Sequence, residues 1–386
     1  MAELPCANCG AQLTYNPGAA NLTCPYCGSE NEVPDDDSAP WDRPEQQLVE
    51  RDLQTALAEL ARADTADDAM VVTTTVKCEI CGAEVGFDEP AEAGEARREA
   101  TIAEDCPFCA SPLSREQAHS HRHPVPQGVL PFAIAELRAR KALKAWLATR
   151  WFAPNDLKRY AEAGRPIQGV YVPHYTYDAQ ATCRYRGQRG DAYYVTKRVT
   201  VNGKTQSRRE RRVRWRSASG TVRRHFDDVL VPATATLTEF SSDADVEAGR
   251  RWDLDGMQGY NTGYLAGFRA EAPSLPLGDG FERAAVAMES ALRTNVRRAI
   301  GGDEQRIHSM DTRFDGVTFK HVLLPVWLAA YRYNNRPYRV AINGRTAEVR
   351  GERPYSWTKI AAAVLFVLLI VGAFVWAEAN GYLGTG

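Results

Sequence analysis

No lysine or arginine occurs in the first 42 residues of this 386-residue chain, which instead carry Glu3, Glu30, Glu32, Asp35, Asp36, Asp37 and Asp42. A segment without cations cannot neutralise a phosphate backbone, so nucleic-acid contact through it is excluded. The start, MAELPCANCG, has no charged region followed by an apolar run, and no cleaved secretory signal is expected. A P-loop is missing too. Gly203-Lys204-Thr205 has the ending of one, but Arg198 stands where G-x-x-x-x-G-K-[ST] needs its first glycine, and strand-forming residues follow rather than a helix. VTVNGKTQ (199–206) instead reads as a type I′ hairpin, Asn-Gly between alternating β-branched residues. No nucleotide site is expected.

What the chain does have is paired cysteine. Eight of nine cysteines fall in four CxxC pairs: Cys6 and Cys9, Cys24 and Cys27, Cys78 and Cys81, Cys106 and Cys109. Gly10, Gly28 and Gly82 follow three of the pairs. Glycine supplies the positive φ that lets backbone N–H groups turn toward the thiolates. Two such turns facing each other make a tetrahedral four-cysteine site suited to Zn²⁺. Gaps of 14 residues between Cys9 and Cys24, and 24 between Cys81 and Cys106, each leave room for a short hairpin. The spacing predicts two consecutive zinc ribbons holding two structural ions; a crossed pairing is the alternative. Disulfides and redox dyads compete with this reading; an expected cytoplasmic location argues against the first and four repeats at ribbon spacing against the second. With four cysteine ligands no position is left for water, so neither site is expected to be catalytic. Cys183 has no metal partner in view. The HSHRH tract (119–123) reads as a solvated linker, with a third metal site as the minor alternative.

Charge divides the chain. Residues 1–125 hold 8 Lys+Arg against 24 Asp+Glu, a balance of −16, while the remainder stands at +14. The second CxxC segment (77–109) is also acidic, so protein contact suits the ribbons better than nucleic acid. From 183 to 224 the pattern alternates as in β-structure, with turns expected at Asn202-Gly203 and Ser219-Gly220. Fourteen cations against Asp191 and Glu210 lie there. Arg208, Arg209, Arg211, Arg212, Arg214, Arg216, Arg223 and Arg224 are the candidate anion- or lipid-binding surface, interleaved with Tyr193, Tyr194 and Trp215. An Arg-rich solubilising surface, or docking on the chain's own acidic ribbons, are the competing readings.

Ile360 to Ala377 is 18 residues without a charge, about 27 Å of helix and close to the hydrocarbon thickness of a bilayer. Trp357 and Trp376 stand at its ends, where aromatic belts form. Arg345, Arg350, Arg353 and Lys359 precede it and only Glu378 follows, which predicts a single-pass cytoplasmic-membrane protein with its N-terminal domains in the cytoplasm.

The expected organisation is α+β: ribbon 1 (1–33), linker and helix (34–69), ribbon 2 (70–115), an α+β domain with Arg-rich hairpins (124–355), a transmembrane helix (358–378) and a short tail (379–386). Helices are predicted near 134–150 and 280–300. GVYVPHYTYDA (169–179) reads as a buried strand interrupted by Pro173. An internal pseudo-repeat is visible: VYVPHY (170–175) echoes VLLPVW (322–327), and VTVNGKT (199–205) echoes VAINGRT (340–346).

These CPxCG-like turns, with LPF (130–132), RWFAPNDLK (150–158), RGDAYY (189–194), RWRSASGTVRRHFDDVLVPA (214–233), GYLAGFRAE (263–271) and LLPVWLAAYRY (323–333), resemble a bacterial family of zinc-ribbon proteins with one C-terminal membrane helix. Members are often labelled primosomal protein N′ (replication factor Y), superfamily II helicase. No Walker A, no Walker B and no helicase core accompany the ribbons here, so the resemblance implies the architecture and no helicase activity. Asp227, Asp228, His225 and His174 come nearest to an acid–base cluster, and nothing in their spacing fixes a geometry. The expectation is a non-enzymatic, membrane-anchored adaptor for a protein partner, with anionic lipid contact possible for the basic face. A membrane-tethered nucleic-acid-binding protein using the 184–224 face is the alternative.

Overall fold

Runs rich in Val, Thr, Tyr and Arg, with a turn only every thirty residues or so, build very long antiparallel strands. The computed structural model describes residues 4–19, 21–33, 48–62, 70–78, 84–86, 106, 118–150, 152, 167–201, 204–234, 244–246, 252–333, 336–351 and 356–380. In chain order the elements are β1 (Thr14–Asn16), β2 (Asn21–Thr23), β3 (Glu30–Asn31), β4 (Arg51–Asp52), α1 (Leu53–Ala61), β5 (Met70–Lys77), β6 (Glu84–Gly86), β7 (Ala118–Pro124), β8 (Gly128–Val129), α2 (Glu136–Ala148), β9 (Gln168–Val201), β10 (Lys204–Pro232), β11 (Gln258–Gly259), β12 (Arg269–Ala270), α3 (Leu277–Ile300), β13 (Glu304–Tyr333), β14 (Arg336–Asn343), β15 (Val349–Gly351) and α4 (Trp357–Ala379). The fold is mixed α+β. Its main sheet runs β10-β9-β13-β14-β15, flanked by two three-stranded sheets, β1-β2-β3 and β6-β5-β7.

Helix α3 covers one face of the long strands. Leu277, Gly280, Ala284, Met288, Leu292, Val296 and Ile300 form its buried stripe, the three-to-four spacing of an amphipathic helix. Opposite them β9 presents Ala179, Ala181 and Cys183, small side chains that let the helix come close. Gly280 marks the tightest point: a Cβ there would run into the Tyr177 hydroxyl, which donates to the Leu277 carbonyl at 2.7 Å. Gly301, at φ 67°, ends the helix where a left-handed residue is needed.

The proline-centred echo in the sequence is a real structural repeat. Tyr171 pairs with Pro325 and Pro173 with Leu323 across β9 and β13, so the two motifs lie antiparallel about a local two-fold between Val172 and Leu324. The symmetry extends outward. β12 pairs parallel with Val170 and Tyr171, as β8 does with Val322 and Leu323. In each copy the helix, α3 or α2, starts eight residues after the short strand starts. The unit is therefore β8-α2-β9-β10 in one copy and β12-α3-β13-β14 in the other. Pro173 does not interrupt its strand, contrary to expectation. Each proline sits one position beyond the end of its flanking strand: its carbonyl accepts from Ala233 (3.0 Å) or Gly344 (2.9 Å), and no ladder acceptor faces its missing N–H.

The Asn-Gly echo has a different standing. Val201 pairs with Lys204, and the turn expected at Asn202-Gly203 lies outside the described residues. Asn343 and Gly344 instead close the β14–β15 connection, where Asn343 Oδ1 accepts from the N–H groups of Arg345 and Thr346. The two sites are not equivalent in the repeat. Ser219-Gly220 is not a turn either: β10 runs straight through it. A Cβ on Gly220 would stand 2.9 Å from the Tyr185 hydroxyl, so the glycine makes room for a cross-strand tyrosine.

The N-terminal ribbon does not extend from a linker. Leu13, Tyr15 and Leu22 share one core with Phe132, Ile134, Tyr171 and Trp327, and the Tyr15 N–H donates to the Ala266 carbonyl at 3.0 Å. Helix α1, capped by Asp52 through the Thr55 N–H at 2.8 Å, packs Leu53 and Ala56 against Tyr175 and Tyr177. The second ribbon is longer than the spacing suggested, because β7 pairs with β5 from Pro124 to Ala118. The HSHRH tract is thus a strand rather than a solvated linker, with period-two pairing to β5 fixing it. His123 is buried there beside His321.

Candidate metal centre and cationic arm

Two β-knuckles build the first site. In the first, Gly10 at φ 73° lets its N–H reach the Cys6 carbonyl at 2.9 Å; in the second, Gly28 at φ 72° does the same to Cys24 at 3.0 Å. The turns bring all four Sγ atoms of Cys6, Cys9, Cys24 and Cys27 within 4.8 Å of one another. Cys6 to Cys27 is 3.7 Å and Cys9 to Cys24 is 3.5 Å. Metal–sulfur bonds of about 2.3 Å in a tetrahedron put sulfurs about 3.8 Å apart, so the donor set fits a metal ion and is consistent with zinc. Each knuckle buries its first cysteine, Cys6 or Cys24, and exposes its second. The Ser29 hydroxyl, 3.1 Å from Cys27, together with the Ser29 backbone N–H, pulls the Cys27 thiol down to about 5, which favours the ligating thiolate. Pairing at this centre is consecutive.

At the second ribbon Cys78 and Cys106 are both 1% exposed and share a core with Val76, Leu130 and Val172. They are the first cysteines of their CxxC pairs, as Cys6 and Cys24 are. Cys81 and Cys109 lie outside the described residues, as do residues 34–47 of the expected linker. Cys183 is buried under α3 as a core thiol.

Strand alternation divides the eight candidate arginines between two surfaces. Arg212 pairs with Tyr193, Arg214 with Asp191 and Arg216 with Arg189, and with Arg208 and Arg224 these share the side on which α3 packs. Arg209, Arg211 and Arg223 lie on the opposite side. The expected single basic face is therefore not formed. Beyond the last β13 pairing, Glu304 with Gly190, only β9 and β10 continue. Residues 191–201 and 204–214 thus project as a two-stranded arm, about 36 Å long at 3.3 Å per residue. Along it Arg214 stacks over Tyr193 at 5.4 Å and Arg209 over Tyr194 at 5.2 Å. Arg211 pairs with Glu304 at 2.7 Å, and Lys197 with Glu210 at 2.7 Å. None of the described acidic ribbon residues contacts the arm; the first ribbon docks at the other end of β9.

A site the sequence did not reveal surrounds Lys320. Its Nζ lies 2.8 Å from Asp228, 3.1 Å from Glu50 and 3.7 Å from Asp178. Two bulges, between Phe226 and Val229 on β10 and between Asp315 and Thr318 on β13, flank Asp178 from both sides. Asp228 (φ 49°) and Gly316 (φ 59°) take the left-handed backbone. Burial raises the Asp178 carboxyl to about 7, because the one ammonium stands nearer to Asp228 and Glu50. Carboxylates of Glu50, Asp178 and Asp227 lie within 4.8 Å of one another, and the Lys320 ammonium already contacts two of them, Glu50 and Asp178. His225 is not part of it: it meets Gln180 at 2.9 Å. His174 is buried against Trp252 and held down to about 4 by desolvation. The acid–base quartet considered from sequence is not assembled. No local sequence pattern marks the Lys320 site, whose bulges are seen only in the strand register.

Helix α4 is long and apolar enough to cross a membrane, with mean hydropathy 2.8 over an 18-residue window of Trp357–Glu378 and none of that window buried against the protein.

No protein-family profile matches the chain, and no solved structure matches it. An uncharacterised protein of Bacillus subtilis (strain 168), YdjG, is 24% identical over 241 residues, covering 62% of this chain and 67% of that protein.

Proposed function

We propose that the protein is a non-enzymatic, membrane-anchored zinc-ribbon adaptor that presents a rigid body to a protein partner at the cytoplasmic face of the membrane. The observation that carries this reading is the pairing of a closed four-cysteine centre with an apolar helix that packs on nothing else among the described residues. A closed centre has no position for substrate or water, and the helix supplies a place rather than a chemistry. Zinc is the ion, bound by Cys6, Cys9, Cys24 and Cys27, with a second ion at Cys78, Cys81, Cys106 and Cys109; burial of Cys78 and Cys106 supports the second site. Arg345, Arg350, Arg353 and Lys359 before α4, against Glu378 after it, support a cytoplasmic body. The ribbons are acidic, so a partner is sought among proteins rather than nucleic acids.

The test is a chemical cross-linking pull-down from native membranes, comparing the full chain with Cys9→Ser/Cys27→Ser and with a chain ending at Gly351. A stoichiometric partner held by the full chain, lost with the ribbon variant and released from membranes with the truncated one, is expected. The absence of any such partner across all three would end the adaptor reading.

A further inference from the structure

The arm formed by β9 and β10 is an elongation that the second structural repeat lacks. From Pro173 the first copy runs to Val201 before turning; from Pro325 the second runs only to Tyr333. The added length is where arginine is concentrated, and four cations there have no carboxylate partner among the described residues: Arg198, Arg208, Arg209 and Arg214. Register places Arg208 and Arg214 on one side of the ribbon and Arg198 and Arg209 on the other. Two uncompensated cations therefore stand on each face of a structure only two strands wide.

A bilayer is a plane and meets one face of a ribbon. The wall-to-wall groove of a duplex meets both. A ribbon seen edge-on is about 10 Å thick with its side chains, and the major groove of B-form DNA, about 12 Å wide, admits a two-stranded β-ribbon. Tyr193 and Tyr194, on opposite faces and 39% and 61% exposed, hold Arg214 and Arg209 by their rings. That stacking restrains each guanidinium on its own face of the ribbon. The location agrees. Helix α4 leaves the protein beside β15, at the end of the sheet where β9 begins, and the arm tip lies at the other end of β9, about 110 Å along the strand contour.

We infer that this arm binds duplex nucleic acid edge-on in a groove, its two pairs of unpaired arginines contacting the phosphates of the opposite walls. The inference is independent of the adaptor reading, which concerns a protein partner and the ribbons.

The experiment uses the full chain in nanodiscs of neutral lipid and a short fluorescent DNA duplex, with anisotropy measured from low to physiological salt. Four phosphate contacts give a log–log salt slope of about −3.6, from roughly 0.9 per phosphate. Arg198→Gln/Arg209→Gln and Arg208→Gln/Arg214→Gln should each reduce that slope by about 1.8, since each removes one face. Unchanged melting temperature and metal content show that the variants fold. Duplex binding that is absent, or insensitive to salt, overturns the inference and leaves the arginines as guards of two exposed strand edges. Loss confined to one pair, with anionic vesicles bound in place of the duplex, overturns it in favour of a planar lipid contact.

Discussion

Pro173 and Pro325 face each other across a local two-fold, each standing opposite the residue two positions before the other in its motif. Two prolines in adjacent central strands would ordinarily cost two ladder hydrogen bonds. Here neither loses one, because β10 and β14 both end one residue short of the proline opposite them. The repeat thus fixes where the outer strands must stop. It also defines the body of the molecule, on which the ribbons are docked and from which the arm departs.

Removing one cysteine ligand should empty one centre only. Cys24→Ser is expected to lower bound zinc by one ion per chain, measured by mass spectrometry of the native protein, while Cys78→Ser removes the other. Because Cys24 shares a core with Leu22 and the α2 region, its loss should also loosen the first ribbon from the domain and lower the melting temperature. Loss of both ions on the Cys24 change alone would contradict the consecutive pairing.

The approach of α3 to the sheet can be tested at Gly280. Alanine is the better helix former by about 1 kcal/mol, yet its Cβ would run into the Tyr177 hydroxyl. Gly280→Ala should therefore destabilise, by roughly 1–3 kcal/mol as for other overpacked cores. Tyr177→Phe removes the clashing atom, so the double variant should be more stable than the sum of the single changes predicts. Additive denaturation midpoints would mean the helix shifts instead.

Much of this was legible locally and some was not. The spacing of Cys6, Cys9, Cys24 and Cys27, the apolar run of α4 and the helix at α3 are short-range patterns, and each forms where the sequence places it. The echo around Pro173 and Pro325 is structural because the backbone requires it. The Asn-Gly echo is not, since Asn-Gly suits any tight turn. Alternation puts Arg212, Arg214 and Arg216 on one side and sends Arg209, Arg211 and Arg223 to the other, so composition alone overstated a basic face. The Lys320 cluster was invisible because Glu50 and Lys320 are 270 positions apart and nothing local ties them together. Ribbon docking likewise depends on Tyr15 meeting Tyr264, 5.5 Å away between ring centres, a contact no spacing rule encodes.

Helix α4 should be separable from the fold. None of its apolar span is buried against the protein, so removing that span costs no core contact. A chain ending at Gly351 is expected to stay in solution without detergent and to melt within about 0.5 kcal/mol of the parent, the usual range for changes away from the core. Sedimentation with membranes after a high-salt wash would show a second attachment.

The last test concerns the buried charge at Asp178. Its ordinary value near 3.8 is raised to about 7 by burial. Below 3.8 the carboxyl is protonated in both folded and unfolded chains and contributes no pH dependence. Between 3.8 and 7 the unfolded chain releases the proton while the folded one keeps it, so this group makes stability fall as pH rises. His174 and His321, held down to about 4 and about 3 by burial, act oppositely: they make stability fall as pH drops below 6.5. Asp178→Asn keeps an oxygen to accept from the Asp228 N–H and removes only the titration. The stability of the variant minus that of the parent should then rise between about pH 4 and pH 7, by at most about 1.4 kcal/mol per unit, and level off above. Comparing the two chains cancels the histidines and every other carboxylate. A difference that stays constant across that range would mean that Lys320 keeps Asp178 ionised throughout.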